Sequence, residues 1–281
     1  VPRHDAAARA LVREARVLER LAPRLPVPVP LPIWVPSPGA PAAAATPVSP
    51  ATPASGTSPA SRAAGFSLHE QVRGRELTRE LWRGLPEAVR DRVARGVGHF
   101  LGGLHGLDAG IVRGCSVGAM DHEARLTRLQ RRIRGEGALF LPRSLRAKLD
   151  TCFQARRTGR LEWVSEPVIL HADVSPGHVL VDVDKGTITG IIDWGDVVLG
   201  DPARDFIFLY EDWGRDFLDR AMEGYGREPG ERLLPRIHLR YLVDQLEWTL
   251  GAADDGRTAD LDHGIAALRQ GLRDFEESAA W

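Results

Sequence analysis

The sequence predicts an α+β fold, in which a small β element is flanked by helices on both sides. Apolar residues recur at helical spacing near the N-terminus and over much of the C-terminal half. Short apolar runs bounded by turn residues are concentrated in residues 167–205. A chain of 281 residues can bury one large core or two modest ones, so we expect a globular protein with two lobes.

The first predicted element is a helix over residues 5–22, where apolar side chains recur at helical spacing. Pro23 and Pro26 end this helix, because proline lacks the backbone N–H that a helix needs. Residues 27–35 alternate with proline and are predicted to be extended, as an edge strand or a polyproline segment. The tract at about 36–64 is rich in Pro, Ala, Ser and Thr. It has little apolar surface to bury, so we predict a disordered insertion.

Ordered structure is predicted to resume at Phe66, with a short strand over 66–72 that ends at Gly74. A single apolar stripe then predicts a helix over 86–104. Two further helices with basic faces are predicted within 121–157. The C-terminal part is predicted to be mostly amphipathic helix, at 217–225, 233–250 and 265–275.

The β element is predicted between these helices. Residues 168–170 form a short buried strand, and the polar turn 171–177 follows it. Residues 179–181 and 187–192 are predicted as two strands that residues 184–186, Asp-Lys-Gly, join into a hairpin.

Composition excludes several classes of function. The formal net charge of -1 argues against a general nucleic-acid binder, which would show a basic excess. No apolar run is long enough to span a bilayer, and no signal-peptide pattern is present, so we expect a cytoplasmic protein. Cys115 and Cys152 lie far apart without metal-ligand spacing and are expected to be free thiols.

Three polar strings fall in order within about 35 residues of this β element. Residues 171–182 read HADVSPGHVLVD, residues 190–196 read GIIDWGD, and residues 200–205 read GDPARD. His178 lies just before the first hairpin strand and Asp193 just after the second, so an antiparallel pairing places them side by side. Asp173 lies on the loop that enters the same hairpin. One base and two metal ligands on a rigid β platform suit phosphoryl transfer, which depends on positioning and charge neutralisation.

These strings resemble the catalytic loop, the metal-binding loop and the following structural loop of the aminoglycoside phosphotransferase family. The resemblance implies a protein-kinase-like, two-lobed fold. Residues 1–73 would be a partial nucleotide-binding N-lobe and residues 74–281 a large helical C-lobe. It further implies a kinase that transfers the γ-phosphoryl group of ATP or GTP, with Mg²⁺, to a hydroxyl group of an aminoglycoside-like molecule. The expected partners are therefore a nucleoside triphosphate and a cationic small molecule.

The same resemblance implies a role for each site residue. Asp173 matches the base that orients and deprotonates the substrate hydroxyl, and His178 and Asp193 match the magnesium ligands. Asp205 matches a buried aspartate that braces the catalytic loop, and His171 a residue that shapes it. Glu14 matches the glutamate that pairs with the phosphate-binding lysine on the nucleotide side.

Two departures from the family pattern narrow this interpretation. Most members have asparagine where His178 stands, and this chain contains no asparagine. The aminoglycoside 2″-phosphotransferases and the macrolide phosphotransferases commonly have histidine there, so a macrolide acceptor is the close alternative. Lys148 and Lys185, the only lysines, follow the first helix and cannot supply the phosphate-binding lysine. We therefore expect an N-terminally truncated chain, and a non-catalytic nucleotide-binding relative remains the alternative from a different class.

The acceptor surface is predicted on the C-terminal helices. Six acidic residues follow the motif region there, and as a group they would attract a polyamine through Coulomb steering. They are Glu211, Asp212, Asp244, Glu247, Asp254 and Asp255.

Overall fold

The computed structural model describes residues 2–34, 67–135, 138–159, 161 and 166–279. The predicted insertion at 36–64 lies outside these described residues. Within them the chain is mainly helical with small antiparallel sheets, which confirms the α+β prediction. None of the helices in these ranges is long and apolar enough to cross a membrane. Cys115 and Cys152 are both buried and free, as predicted.

The helices in the described part of the chain follow the predicted order. They are α1 (Pro2–Leu21), α2 (Arg79–Gly84), α3 (Glu87–His105), α4 (His122–Arg134), α5 (Arg143–Arg157), α6 (Ile207–Trp213), α7 (Arg215–Tyr225), α8 (Leu233–Asp254) and α9 (Thr258–Ser278). Short 3-10 turns occupy Ala22–Arg24, Ala109–Val112 and Pro202–Arg204. The predictions lacked α2 and α6, because helices of six and seven residues are too short to show a period.

Seven short strands form three small sheets in the described residues. They are β1 (Pro32–Trp34), β2 (Leu68–His69), β3 (Arg75–Glu76), β4 (Val168–Leu170), β5 (Val179–Asp182), β6 (Thr187–Ile191) and β7 (Val198–Gly200). Strand β1 pairs with β2, β5 lies between β3 and β6, and β4 pairs with β7, all antiparallel. The strand predicted over 66–72 is reduced to β2, and β3 and β7 were not predicted.

The β5–β6 hairpin positions the two sides of the predicted site. Its turn lies at 183–186, where Gly186 has a φ of +64° that a side chain would strain. Val179 pairs with Ile191 at the open end. Beyond that pair, the Ile192 N–H donates to the His178 carbonyl at 3.0 Å. The register therefore brings His178 and Asp193 to the same edge of the hairpin.

Two apolar cores stabilise the described residues. The larger core joins α1, α3, α6 and α7 to the strands that carry the motif region, and Leu18, Phe100, Trp194 and Phe206 are fully buried in it. The smaller core packs α4 and α5 against α8 and α9. Since α1 shares the larger core with the hairpin, burial fixes the first helix against the motif loops.

Candidate active site

Asp173, His178 and Asp193 lie together at the open end of the hairpin. One side-chain atom from each comes within 4.8 Å of the others. The Nε2 atom of His178 lies 3.3 Å from Asp193 Oδ2, and its Nδ1 atom lies 3.3 Å from Asp173 Oδ2. No Lys or Arg side chain in the described ranges lies within ion-pair distance of either carboxylate. Among the described residues, the cluster therefore combines two carboxylates with one imidazole and with no Lys or Arg side chain.

Hydrogen bonds assign a proton to Nδ1 of His178. Its Nδ1–H donates to the Asp173 carbonyl oxygen at 2.9 Å and lies 3.1 Å from Ser175 Oγ. A carbonyl oxygen can only accept, so Nδ1 carries a proton, and Nε2 is the ring atom that faces Asp193, 3.3 Å from Oδ2. Nε2 and the two carboxylates are the groups available to bind a cation here. Two carboxylates and one imidazole fit Mg²⁺, although nitrogen is the least preferred of these ligands.

Two residues at the cluster have left-handed backbone conformations. Ala172 has φ +69° and Asp193 has φ +64°, values that residues other than glycine seldom adopt. Such strain persists only where neighbouring contacts hold it, and it is common at functional sites. The conformation at Ala172 turns the chain from β4 into the loop that carries Asp173.

Asp205 holds that turn from below. Its carboxylate accepts from the backbone N–H groups of His171 at 2.9 Å and Ala172 at 2.6 Å, and from His105 Nε2 at 2.9 Å. Burial alone would raise the pKa of Asp205, but the hydrogen bond and charge of His105, with those of the loop, outweigh it and lower the pKa. The His105 Nδ1 atom lies 2.9 Å from the Tyr225 hydroxyl. These contacts place a buried carboxylate under the loop.

His171 links the two motif loops. Its Nε2–H donates to the Ile192 carbonyl at 3.1 Å, and its Nδ1 accepts from the Asp173 N–H at 3.2 Å. The ring is fully buried, with Trp194 in edge contact at 4.7 Å. Burial lowers the pKa of His171, so the ring stays neutral and keeps this donor and acceptor pattern.

The first helix contacts the loop that follows Asp193. The Arg13 guanidinium of α1 donates to the Gly195 carbonyl. Burial raises the pKa of Glu14, and the nearby Asp193 adds to this, whereas His69 opposes it. Glu14, which the family resemblance identified, thus lies beside the cluster.

A cavity of about 710 Å³ lies beside α6, α8 and α9. Phe208, Tyr241 and Trp248 form aromatic walls, and Ile207 adds an aliphatic surface. The charged residues in its lining are Arg79, Arg204, Glu211, Asp212 and Asp244. Three of the six predicted acceptor-surface acids therefore line one concave surface, while Glu247, Asp254 and Asp255 lie outside the lining.

Arginines neutralise most of these six acids. Asp212 accepts from Arg79 at 2.9 Å. Asp244 pairs with both Arg125 and Arg204 at 2.9 Å. The acids outside the cavity are paired as well: Glu247 with Arg125 and Arg128, Asp254 with Arg132, and Asp255 with Arg257.

The sequence interpretation did not assign His105 to the site. Its side chain is almost fully buried against Asp205. The spacing Val97, Leu101, His105 continues the buried stripe of α3, and this was the signal available for its burial. His99, by contrast, is exposed.

Comparison with known proteins identifies the family of the chain. A family model described as the phosphotransferase enzyme family, APH, matches residues 1–240. The chain belongs to this family. Viomycin phosphotransferase from Streptomyces vinaceus is 27% identical to the chain over 105 residues, covering 36% of each protein. The matches to two curated relatives cover 22% and 36% of the relatives' own lengths.

Solved phosphotransferase structures share the fold. The GDP and kanamycin complex of APH(2″)-IIIa superposes with a TM-score of 0.77 at 23% identity, covering 96% of this chain and 84% of that one. A macrolide 2′-phosphotransferase from Brachybacterium faecium gives a TM-score of 0.66 at 20% identity, covering 95% and 82%. These similarities confirm the predicted kinase-like α+β fold.

Proposed function

We propose that this family member transfers the γ-phosphoryl group of ATP or GTP to a hydroxyl group of a small molecule. The observation that carries the proposal is the Asp173–His178–Asp193 cluster, in which the fold supplies two carboxylates without arginine or lysine partners among the described residues. Phosphoryl transfer needs a group that orients the attacking hydroxyl and a means of neutralising phosphate charge. The cluster offers both functions within a few ångströms.

In this proposal Asp173 is the base. Its carboxylate accepts a hydrogen bond from the acceptor hydroxyl and takes the proton as the new oxygen–phosphorus bond forms. The bond between the γ-phosphorus and the bridging oxygen breaks, and the nucleoside diphosphate leaves with that oxygen. The braces at Asp205 and His171 keep the loop in the conformation that presents Asp173.

His178 and Asp193 would hold Mg²⁺, which neutralises charge on the nucleotide phosphates when bound. His178 contributes Nε2, because Nδ1 is committed to the Asp173 carbonyl. Glu14 approaches the same loop from α1 and is the candidate to orient phosphate-binding groups there. A GDP complex is known for a structural relative, which supports a purine nucleotide as the donor.

Two acceptor classes remain candidates for the chain. An aminoglycoside-like polyamine is the first, supported by the family and by the acids around the cavity. A macrolide-like acceptor is the second, supported by the aromatic walls and by the arginine partners of those acids. Phosphorylation of either antibiotic class would make this a resistance enzyme.

Transfer of radiolabelled phosphate from ATP and GTP to an acceptor panel tests the proposal, with Asp173→Asn as the key variant. We expect kcat to fall by roughly 10²–10⁴-fold, because the positioned base is lost, while nucleotide binding is kept. Asp184→Asn, in the exposed hairpin turn, is the matched control and should retain full turnover. Unchanged turnover in Asp173→Asn would contradict the assignment. Nucleotide binding without transfer to any acceptor would instead support the non-catalytic alternative.

A further inference from the structure

Ser175 lies beside the base and a metal ligand of the cluster. It follows Asp173 by two residues in the chain, and its side chain is half-buried. Its Oγ atom lies 3.1 Å from Nδ1 of His178. Asp173 Oδ2 lies 3.3 Å from the same Nδ1 atom. The hydroxyl and the carboxylate of the base therefore share one neighbour and lie within a few ångströms of each other.

The backbone turn at this point does not use the Ser175 hydroxyl. Ser175 begins a turn through Pro176 and Gly177, and the His178 N–H closes it by donating to the Ser175 carbonyl at 2.9 Å. A serine at the start of a turn often accepts a hydrogen bond from a backbone N–H within the turn. Among the described residues, the contact of the Ser175 Oγ atom is instead the His178 ring. Turn chemistry therefore does not account for a serine at this position.

The direction of the contact with His178 determines what the Ser175 hydroxyl can still do. Nδ1 of His178 carries a proton, so it is the donor toward Ser175 and Oγ is the acceptor. A hydroxyl that accepts from an imidazole keeps its own hydrogen to donate. No acceptor for this hydrogen lies among the described residues. The Ser175 O–H is therefore available to a ligand at the cluster.

A phosphate group at the cluster needs such a donor. The carboxylates of Asp173 and Asp193 have no Lys or Arg side chain within ion-pair distance in the described part of the chain. Ionised carboxylates only accept hydrogen bonds, and their charge repels phosphate oxygens. In the His178 ring, Nδ1–H is committed to the Asp173 carbonyl and Nε2 faces Asp193. The hydroxyl of Ser175 is therefore the donor that the cluster offers to a phosphate oxygen.

We propose that the Ser175 hydroxyl donates a hydrogen bond to a non-bridging oxygen of the γ-phosphoryl group and is a further catalytic residue. This inference rests on the proposed phosphotransferase function. Ser175 keeps its proton throughout the transfer, since the proton of the acceptor hydroxyl goes to Asp173 and no bond forms between Ser175 Oγ and phosphorus. The hydrogen bond fixes the phosphoryl group beside the hydroxyl that Asp173 orients, and such positioning lowers the barrier to transfer.

The contribution of the γ-phosphate to nucleotide binding tests the proposal without requiring turnover. Isothermal titration calorimetry of the full chain with Mg²⁺ compares ADP with the non-hydrolysable triphosphate AMP-PNP, and GDP with GMP-PNP. We expect Ser175→Ala to weaken triphosphate binding about tenfold and diphosphate binding less than about twofold, because only the triphosphate loses a hydrogen bond to a charged oxygen. Ser175→Thr keeps the hydroxyl and should retain most of the triphosphate affinity. Ser144→Ala, at an exposed serine on α5, is the control and should bind both like the starting chain.

Binding of Mn²⁺ without nucleotide separates this role from that of holding the His178 ring. The Asp173 carbonyl is the nearer acceptor of Nδ1–H, at 2.9 Å against 3.1 Å for Ser175 Oγ, so the ring should keep its orientation in Ser175→Ala. We expect the Mn²⁺ affinity of this variant, measured by electron paramagnetic resonance, to stay within about twofold of that of the starting chain. A loss of Mn²⁺ affinity as large as the loss of triphosphate affinity would show that Ser175 positions the metal ligand, and would overturn the proposal.

Other outcomes would overturn the proposal as well. They are equal losses of diphosphate and triphosphate affinity in Ser175→Ala, unchanged triphosphate affinity in that variant, and no nucleotide binding by the starting chain. A phosphoryl group found on Ser175 by mass spectrometry would make the serine a nucleophile and would also contradict it. If Ser175→Ala loses triphosphate affinity alone but the starting chain phosphorylates no acceptor, the Ser175 contact stands and only the proposed catalysis fails.

Discussion

The carboxylates of the Asp173–His178–Asp193 cluster differ from those of the cavity in what neutralises them. In the cluster, the described residues provide one imidazole for two carboxylates. In the cavity, Asp212 and Asp244 each receive at least one guanidinium, whereas no Lys or Arg side chain in the described residues lies within ion-pair distance of Glu211. The two regions therefore differ in how much negative charge they leave available to a ligand.

This difference indicates which ligand each region is suited to bind. Two carboxylates held within a few ångströms repel each other unless a cation lies between them. The cluster therefore favours a divalent cation from solution. Asp212 and Asp244 already have guanidinium partners within the protein, so their charges are less available to a ligand.

Asp205 shows how much a carboxylate with several hydrogen-bond donors from the fold contributes to stability. We expect its removal to have the largest effect of the substitutions considered. In Asp205→Ala, the N–H groups of His171 and Ala172 and the His105 ring lose their buried acceptor. We expect the free energy of unfolding to fall by roughly 3–5 kcal/mol, as measured by urea denaturation. Asp184→Ala in the exposed turn should change it by less than about 0.5 kcal/mol. Equal stabilities of the two variants would show that Asp205 is no brace.

Substitutions of His178 test whether the cluster is built around a cation. His178→Asn replaces the nitrogen ligand by an amide oxygen, which magnesium prefers. We expect this variant to keep its Mg²⁺ requirement with an equal or lower half-saturating concentration. His178→Ala removes the ligand and should raise that concentration roughly tenfold or more. If His178→Ala and His178→Asn have the same half-saturating Mg²⁺ concentration, the imidazole does not act as a magnesium ligand.

The arginines around His122 should affect the pH dependence of the free energy of unfolding. His122 has a pKa of about 3 in the folded chain because of burial and of Arg240, Arg125 and Arg204. The unfolded chain binds a proton there below about pH 6.5, so stability is lost as the pH falls below that value. Between pH 7 and pH 5, His122→Gln should lose about 2 kcal/mol less free energy of unfolding than the starting chain.

Urea denaturation at the two pH values checks this expectation. His99→Gln is the control, since His99 is exposed on α3 and should leave the pH dependence unchanged. His171, whose pKa burial also lowers, contributes equally in all three proteins. A His122→Gln variant with the same pH dependence as the starting chain would show that burial and the arginines do not lower the pKa of His122 in the folded chain.

Local pattern in the sequence was sufficient to predict the hairpin and the cluster at its end. Alternating apolar runs and the Asp-Lys-Gly turn define β5 and β6, and the antiparallel register then places His178 beside Asp193. The buried stripe of α3 was likewise predicted from spacing. These features depend on residues that are close in sequence, where period and turn chemistry carry the information.

The pairing of charges depends on contacts between distant elements and could not be predicted in the same way. His105 reaches Asp205 across 100 residues, and Arg125 reaches Asp244 and Glu247 across about 120. Sequence spacing predicts which face of α4 is basic, but it does not show which acid on α8 lies opposite. The six acids were therefore identified as a group, whereas their neutralisation required the packed helices.

Cation binding by the two regions is the most direct test of the account. Electron paramagnetic resonance of added Mn²⁺, a stand-in for Mg²⁺, would report the affinity in the starting chain, in Asp193→Asn and in Asp212→Asn. Asp193 has no Lys or Arg partner among the described residues, whereas Asp212 is paired with Arg79. We predict that Asp193→Asn weakens Mn²⁺ binding at least tenfold and that Asp212→Asn changes it less than twofold. Equal losses in both variants, or no loss in Asp193→Asn, would contradict the account.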